Sequence, residues 1–585
     1  MVHTVAMYHQ VKKKLGVSLY KQFVEFRVWA PFAKEVSITG TFTPDGPLPL
    51  VSEEDGYWSL KVKHVEPGHH YKYLITTADG DVLEKNDPRA RVISSSDKGF
   101  SIVSSNEFEW DGDTPIARNA NDHIIYELHI GTFNRPDPAT QGTFDSAIER
   151  LDYLYDLGIT TIELMLVTSM AYSYGWGYAP NHMFSVESSL GGRHGLMKFV
   201  KECHKRGISV LLDVVYNHFS GDTDLWQFDG WREKDRGGIY FYNDERGDTP
   251  WGGRPDYGRP EVRQFILDNI AMWLDEYHID GLRVDSTIYM RNTIGQDNDT
   301  PHDISEAWSL MQDINSVAHS INPSALIIAE DSASNNAIVT GANYGGGGFD
   351  SQWELGFPHG IRRAFGVDTA VEFDSLGYQL THSFSDNPAS RVIFIDSHDT
   401  AANGSVRLNE ALSPRSGDNI RSIKQSLVAA TALFTTPGIP LLLQGCEFMQ
   451  EGSFNDWKAL DWERASEHSG IVQAYKHLID LRKNRYGDSE QLLLSPLSLI
   501  HVDSDNGVVA YTRGDSFLVI MNFGGKSIKH YSLPISIQAT WHKRFDSLWN
   551  GYDTSFESPT PNTVSSFDTE LTIPIASHQA LIFSR

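Results

Sequence analysis

The chain has 585 residues, 40% hydrophobic and 21% charged, with 14 Trp, 24 Tyr and 29 Phe, which is ordinary globular composition with material for more than one core. A formal net charge of −27 repels phosphate backbones and anionic lipid, so nucleic-acid and membrane partners are disfavoured and a neutral substrate is not. Cys203 and Cys446 make neither a disulfide framework nor a metal spacing, and no apolar run approaches the ~20 residues of a membrane span or the core of a signal segment in "MVHTVAMYHQVKKKLG", so a cytoplasmic protein is expected.

Residues 1–118 read as strands and turns. "FVEFRVWAP", "EVSITGTF", "GYWSLKVKHV" and "HYKYLITT" alternate apolar and polar residues between Gly, Pro and Asp, the pattern of an antiparallel β-sandwich. Trp29 and Trp58 there are expected in the core. From residue 119 to 487 short apolar strands alternate with amphipathic helices. "HIIYELHI" precedes "DSAIERLDYLYDLG", and "ITTIELMLV" precedes "GLMKFVKECHKRG". "ISVLLDVV" leads through a long loop over 219–258 to "RPEVRQFILDNIAMWLDEYH". "IDGLRVD" precedes "SEAWSLMQDINSVAHS", and "ALIIAED" leads to "GFDSQW". "RVIFIDSHD" precedes "RSIKQSLVAATALF", and "IPLLLQGCEF" precedes "GIVQAYKHLIDLRKN". Eight strand–helix units imply parallel strands and an α/β fold of the (β/α)₈ TIM-barrel type. An open doubly wound sheet is the alternative, but no Gly-rich phosphate turn follows the first strand. "GANYGGGGF" lacks the Lys-Ser/Thr of a phosphate cradle. Strands return over 488–585, in "GVVAYTRG", "SFLVIMNF", "HYSLPI", "ELTIPI" and "QALIFSR", as a smaller all-β domain.

"GLRVDST" places Arg283 and Asp285 on one face of one strand. The guanidinium favours an ionised carboxylate, the setting a carboxylate nucleophile needs, although a structural ion pair fits this stretch equally well. Other strand ends weigh in. Asp213, Asn217 and His218 end "LLDVVYNH", Glu330 and Asp331 end "LIIAED", and His398 and Asp399 end "FIDSHD". In a barrel, residues at the ends of several strands open on one face and carry the chemistry. No HxH or HExxH spacing is present, so a metal hydrolase is the weaker reading. Carboxylates without metal or phosphate machinery suggest glycoside chemistry, in which one attacks the anomeric carbon and another protonates the leaving oxygen. Glu330 is the expected acid, its proton held by anionic Asp285 and Asp399. Asp331 should face the other side of its strand.

In order and spacing, "DVVYNH", "GLRVDST", "IIAED" and "FIDSHD" resemble the four signature regions of the α-amylase superfamily, glycoside hydrolase family 13. The resemblance covers nearly the whole chain. It implies a starch-binding-type module before the barrel and a retaining double displacement on α-glucan. It also implies Asp285 as nucleophile, Glu330 as acid/base and Asp399 as the third carboxylate. Arg283 would orient Asp285, Asp213 would support the site, and His218 and His398 would bond hydroxyls of the sugar being cleaved. Asn217, beside His218 in the same motif, is placed with these substrate-binding residues. Tyr178, in "YGWGYAPNHMF", would stack on that sugar. No cofactor and no metal are implied; calcium occurs in some relatives, but no clean oxygen-ligand motif is present here.

"IIYELHIGTF", "YGRPEVRQFILDNIAMWLDEYHIDGLRVD" and "IPLLLQGCEF" are most similar to glycogen branching enzymes and maltooligosyl trehalose trehalohydrolases. The chain departs from the usual branching-enzyme pattern at Leu166, in "RVDSTIYMRN" and in "SHDTAANGSVR", with Thr400 and Ser405. The expectation is α-1,4 cleavage with transfer to a 6-hydroxyl. Glucan hydrolysis is the alternative, and an inactive glucan-binding protein a remote one. Trp226, Trp231 and Trp251 in the long loop could offer flat faces to outer sugar rings, or pack the loop onto the barrel.

Overall fold

The computed structural model describes residues 14–94, 99–105, 107–170, 175–367, 371–414 and 419–585. The first thirteen residues, read above for a signal segment, and Tyr174 of "YGWGYAPNHMF" lie outside them.

The N-terminal strands form two sheets. Gly16–Leu19, Val24–Trp29, Tyr57–Val62 and Val51–Ser52 make one; Leu48–Pro49, Glu35–Gly40, His70–Thr76 and Val82–Lys85 make the other, with Ser101–Ile102 added on His70–Thr76. The inward residues that alternation predicts, such as Phe26, Val28, Ile38, Tyr71 and Tyr73, are buried. Trp29 is buried too, whereas Trp58 is only partly buried, its Nε1 donating to the Ala30 carbonyl at 3.0 Å.

Eight strands then close a barrel in chain order: β1 (Ile125–Leu128), β2 (Thr161–Leu164), β3 (Ser209–Val214), β4 (Gly281–Val284), β5 (Leu326–Ala329), β6 (Ser351–Trp353), β7 (Arg391–Phe394) and β8 (Ile439–Leu443). These are the eight segments the alternation picked out. Their register positions the site. Val214 pairs with Val284, and Val284 with Ala329, in parallel. Asp285 and Glu330 are therefore the next residues on adjacent strands and leave the sheet side by side. Gly281 allows this pairing, because a Cβ there would lie 2.1 Å from the Leu326 carbonyl oxygen.

Two helices differ from the pattern read in the sequence. "DSAIERLDYLYDLG" is two helices, Phe144–Ile148 and Leu151–Leu157. Asn134 Nδ2 donates to the Ser146 carbonyl at 2.6 Å, taking the acceptor that a continuing helix would offer to the amide of residue 150. The segment 259–278 is an α-helix, Pro260–Ala271, that runs into a π turn, Met272–Glu276.

The C-terminal strands form a six-stranded sheet, ordered Leu497–Asp503, Val508–Arg513, Phe517–Asn522, Ala580–Ser584, Thr540–Asp546 and Thr563–Ser565, with Ile528–Pro534 and Glu570–Ile575 paired apart. They enclose one apolar cluster around Leu518, Trp541, Leu571 and Phe583. By packing, the chain divides into two compact units. One holds the N-terminal strands with His129–Glu149 and Leu164–Phe349; the other holds Arg118–Leu128, Arg150–Glu163 and Asp350–Arg585. No helix among the described residues is long and apolar enough to cross a membrane.

Candidate active site

Arg283 is the hub of the first unit's polar cluster. Its side chain is fully buried, and it reaches three carboxylates. Nη1 donates to Asp213 Oδ2 at 2.6 Å and to Asp285 Oδ1 at 3.0 Å, and Nη2 donates to Glu330 Oε2 at 2.6 Å. Burial alone would lower the guanidinium's pKa; the charges of Asp213 and Glu330 outweigh it and raise the value well above the ordinary one. The cation is thus locked in the charged state.

Exposure separates two groups of carboxylate. Asp213 is 2% exposed, whereas Asp285 and Glu330 are each 14% exposed. The buried Asp213 also accepts from Tyr178 Oη at 2.5 Å, so its role is to hold the arginine and the tyrosine in place. Asp285 and Glu330 keep a small exposed surface.

The nucleophile candidate is aimed from its other side by Asn217. Asn217 Nδ2 donates to Asp285 Oδ2 at 2.7 Å and to the Asp285 carbonyl at 2.9 Å. Asn217 therefore faces the carboxylate and holds it, rather than presenting its amide outward. This orientation leaves Asn217 Oδ1 facing His218 Nδ1 at 2.6 Å, while His218 Nε2 faces the Tyr178 carbonyl at 2.8 Å. Both partners are acceptors, and a neutral ring donates to only one of them. Burial pulls His218 below the usual histidine range, against the opposing charge of Asp285.

Ser286, directly after Asp285, has φ +41°, a left-handed conformation that a non-glycine residue holds at a cost of about 1–3 kcal/mol. That conformation turns its amide onto Glu330 Oε2 at 2.9 Å. Glu330 is further fixed through its backbone: its N–H donates to the Val284 carbonyl at 3.0 Å, and its carbonyl accepts from Thr287 N at 2.8 Å. The neighbours of Glu330 thus include a cation and an amide donor, where sequence reasoning placed only carboxylates. Asp331 faces away, buried against Arg291 at 3.0 and 3.1 Å.

In the second unit, His398 and Asp399 lie in a turn past the end of β7. His398 is buried, and its Nε2 lies 3.4 Å from Asp399 Oδ2, whose side chain is 38% exposed. Glu127 on β1 grips the histidine twice, accepting from the His398 amide at 2.9 Å and pairing with Nδ1. The Trp353 ring lies 5.8 Å from the imidazole.

Three family profiles match the chain: Alpha amylase, catalytic domain, over residues 128–255 and 231–484; Carbohydrate-binding module 48 (Isoamylase N-terminal domain) over 14–90; and Alpha amylase, C-terminal all-beta domain, over 499–585. This chain belongs to the alpha-amylase family. Among curated relatives of this alpha-amylase-family enzyme, the 1,4-alpha-glucan branching enzyme GlgB of Bacillus cereus (strain B4264) is 31% identical over 546 residues, covering 88% of this chain and 82% of the relative. The GlgB of Marinobacter nauticus is 29% identical over 594 residues, covering 94% and 92%. Among solved structures, a pullulanase complexed with maltotetraose from Anoxybacillus sp. LM18-11 superposes with a TM-score of 0.77 at 20% identity, covering 100% of this chain and 89% of that one. A putative alpha amylase from Salmonella typhimurium superposes at 0.74 with 21% identity, covering 98% and 100%. At those identities the two structures speak for the fold alone.

Two functional details of this alpha-amylase-family enzyme escaped sequence reasoning. Glu127 sits inside "IIYELHI", where strand alternation gives no reason to pair it with a histidine 271 positions away. The Ser286 conformation leaves no compositional mark, since serine is not a residue that ordinarily signals positive φ.

Proposed function

We propose that this enzyme cleaves α-1,4-glucosidic bonds of an α-glucan with retention, through a glucosyl intermediate on Asp285, and transfers the chain to a 6-hydroxyl. The observation that carries this reading is the shared arginine. Asp285 and Glu330 bind two nitrogens of one guanidinium, at 3.0 and 2.6 Å. A guanidinium shared by both carboxylates supports a closely spaced pair, and retention calls for carboxyl groups ~5–5.5 Å apart.

Asp285, aimed by Arg283 and Asn217, attacks the anomeric carbon. Glu330 protonates the leaving oxygen and then, as a carboxylate, takes the proton of the acceptor hydroxyl. Asp399 is assigned the third-carboxylate role, and His398 a sugar hydroxyl, on the match of "FIDSHD" to the family motif. Tyr178 is assigned the stacking face for the same sugar.

Transfer is favoured over hydrolysis by the relatives named as branching enzymes, which match along most of the chain. A transferase must orient an acceptor hydroxyl well enough to outcompete water, which well-placed subsites can do. The test is incubation with amylose. Iodine staining should fall while few reducing ends appear, and isoamylase should then release short chains. A steady rise in reducing ends with nothing for isoamylase to release makes the enzyme a hydrolase.

A further inference from the structure

The three tryptophans of the long loop have different surroundings. Trp231 stacks on Phe32 of the N-terminal module, with centroids 4.7 Å apart and planes at 15°, and Arg259 lies over the same ring. Trp226 is partly buried and tilts against Phe241 at 5.3 Å. These two pack. Trp251 is 51% exposed. Its ring lies 5.6 Å from His218 and 4.8 Å from Tyr289, and neither contact is a parallel stack.

Trp251 is exposed but not loosely held. Thr249 Oγ1 accepts from the Trp251 and Gly252 amides at 3.2 and 3.0 Å and donates to the Gly252 carbonyl at 2.7 Å. Gly253 exchanges both backbone hydrogen bonds with Phe219, the residue after His218, at 2.9 and 3.1 Å. A Cβ on Gly252 would lie 2.1 Å from the Phe219 carbonyl oxygen, so this close approach needs glycine. Arg254, fully buried, donates Nε to the Tyr289 carbonyl at 2.9 Å, tying the loop to the helix Thr287–Arg291 that follows the nucleophile.

Trp251 is thus linked to Asp285 by two routes. One runs through His218 and Asn217. The other runs through Tyr289, whose amide bonds the Ser286 carbonyl. A large apolar face held rigidly beside a reacting carboxylate, and left open to solvent, suits the apolar face of a pyranose ring.

We propose that Trp251, braced by Tyr289 and Thr249, is the platform for the sugar ring adjoining the one at the cleavage point, and so sets the minimum chain length. This rests on the α-glucan reading above. A single-ring substrate does not reach the platform; a longer chain does.

The test uses the full chain. In the Glu330→Gln protein, whose turnover of glucan should be slowed about a hundredfold to ten-thousand-fold, maltoheptaose binding is titrated by calorimetry with and without Trp251→Ala. The expected result is an affinity loss of about tenfold or more, with Trp251→Phe within about threefold of the parent and Thr249→Val in between. In the otherwise wild-type enzyme, Trp251→Ala should raise KM for malto-oligosaccharides while turnover of α-glucosyl fluoride, a single ring, stays within about twofold. Unchanged maltoheptaose affinity overturns the proposal. Equal losses on the fluoride and the oligosaccharide also overturn it, because they mean that Trp251 acts on the chemistry through His218. If the parent binds maltoheptaose through Trp251 but cleaves no glucan, the platform stands and the enzymatic reading falls. If the parent binds no glucan, both fall.

Discussion

Asn217 and Arg283 approach Asp285 from different atoms, one donating to Oδ2 and the other to Oδ1. Both contacts fix the position of the carboxylate, so each substitution has a distinct signature. Asp285→Asn removes the attacking oxygen and should lower kcat about ten-thousand-fold or more, with an unchanged melting temperature in a thermal scan. Asn217→Ala loses a hydrogen bond to a charged group, about 1.5–3 kcal/mol, and should lower kcat roughly tenfold to a hundredfold with little change in KM. Glu330→Gln should lose about a hundredfold to ten-thousand-fold on amylose but far less on α-glucosyl fluoride, whose leaving group needs little protonation; equal losses on both substrates would refute the acid role. At this scale the legible part was the part confined to one strand. Arg283 and Asp285 share a face because they are two residues apart, and alternation says so. The grip of Glu127 on His398 joins β1 to the turn after β7, and only the folded register creates it.

Among the elements, the eight barrel strands were readable because they are short apolar runs cut by helices of 3.6-residue period. Three C-terminal strands were not. Leu497–Asp503 carries a register shift between Leu499 and His501, and Thr540–Asp546 one between Lys543 and Phe545, each breaking the two-residue alternation that marks a strand. Thr563–Ser565 is simply too short to show a period. The π turn Met272–Glu276 reads as plain helix, since one residue's change of pitch is invisible in an amphipathic pattern. The short helical turn after β8 carries a testable titration. Burial pushes Glu447 up to about 7, from an ordinary 4.5, while Tyr126 and Tyr153 hydroxyls each donate to Oε1 at 3.0 Å. The folded chain therefore keeps this proton to about pH 7, and the unfolded chain releases it near 4.5. Across that window folding takes up a proton, so stability falls as pH rises and levels off above it, by about 3 kcal/mol at most. Denaturation of wild type and Glu447→Gln across pH 4–8 should differ by that slope, the stability of the wild type falling more steeply with pH between about 4.5 and 7.

At the scale of the first unit, the N-terminal module is fastened to barrel segments by charge as well as by Phe32 on Trp231. Arg89 meets Asp268 at 2.8 Å, Arg91 grips Glu276 on the π turn with two nitrogens at 2.8 and 3.0 Å, and Lys85 donates to the Trp226 carbonyl at 2.9 Å. Arg91 and Glu276 are 14% and 15% exposed, so breaking the pair leaves a largely desolvated carboxylate. Arg91→Ala should cost about 3 kcal/mol in urea denaturation, with Arg193 at 3.6 Å and Lys14 at 3.9 Å from Glu276 limiting the loss. A chain beginning at Asp122 would uncover Trp231 and leave Glu276 with Arg193 but without Arg91 and Lys14, and should be recovered as aggregate; a monodisperse, fully active product would show that the module is dispensable for folding.

The left-handed turn at Ser286 has a spectroscopic corollary. Its amide proton points at the carboxylate assigned the proton transfers, at 2.9 Å, so the nitrogen and proton shifts of that one amide report the charge on Glu330. With ¹⁵N-labelled serine, the resonance should move as the acid titrates and move again when glycosylation of Asp285 changes its neighbour. The strained residue is thereby a natural gauge from which both chemical steps can be followed without modifying either carboxylate.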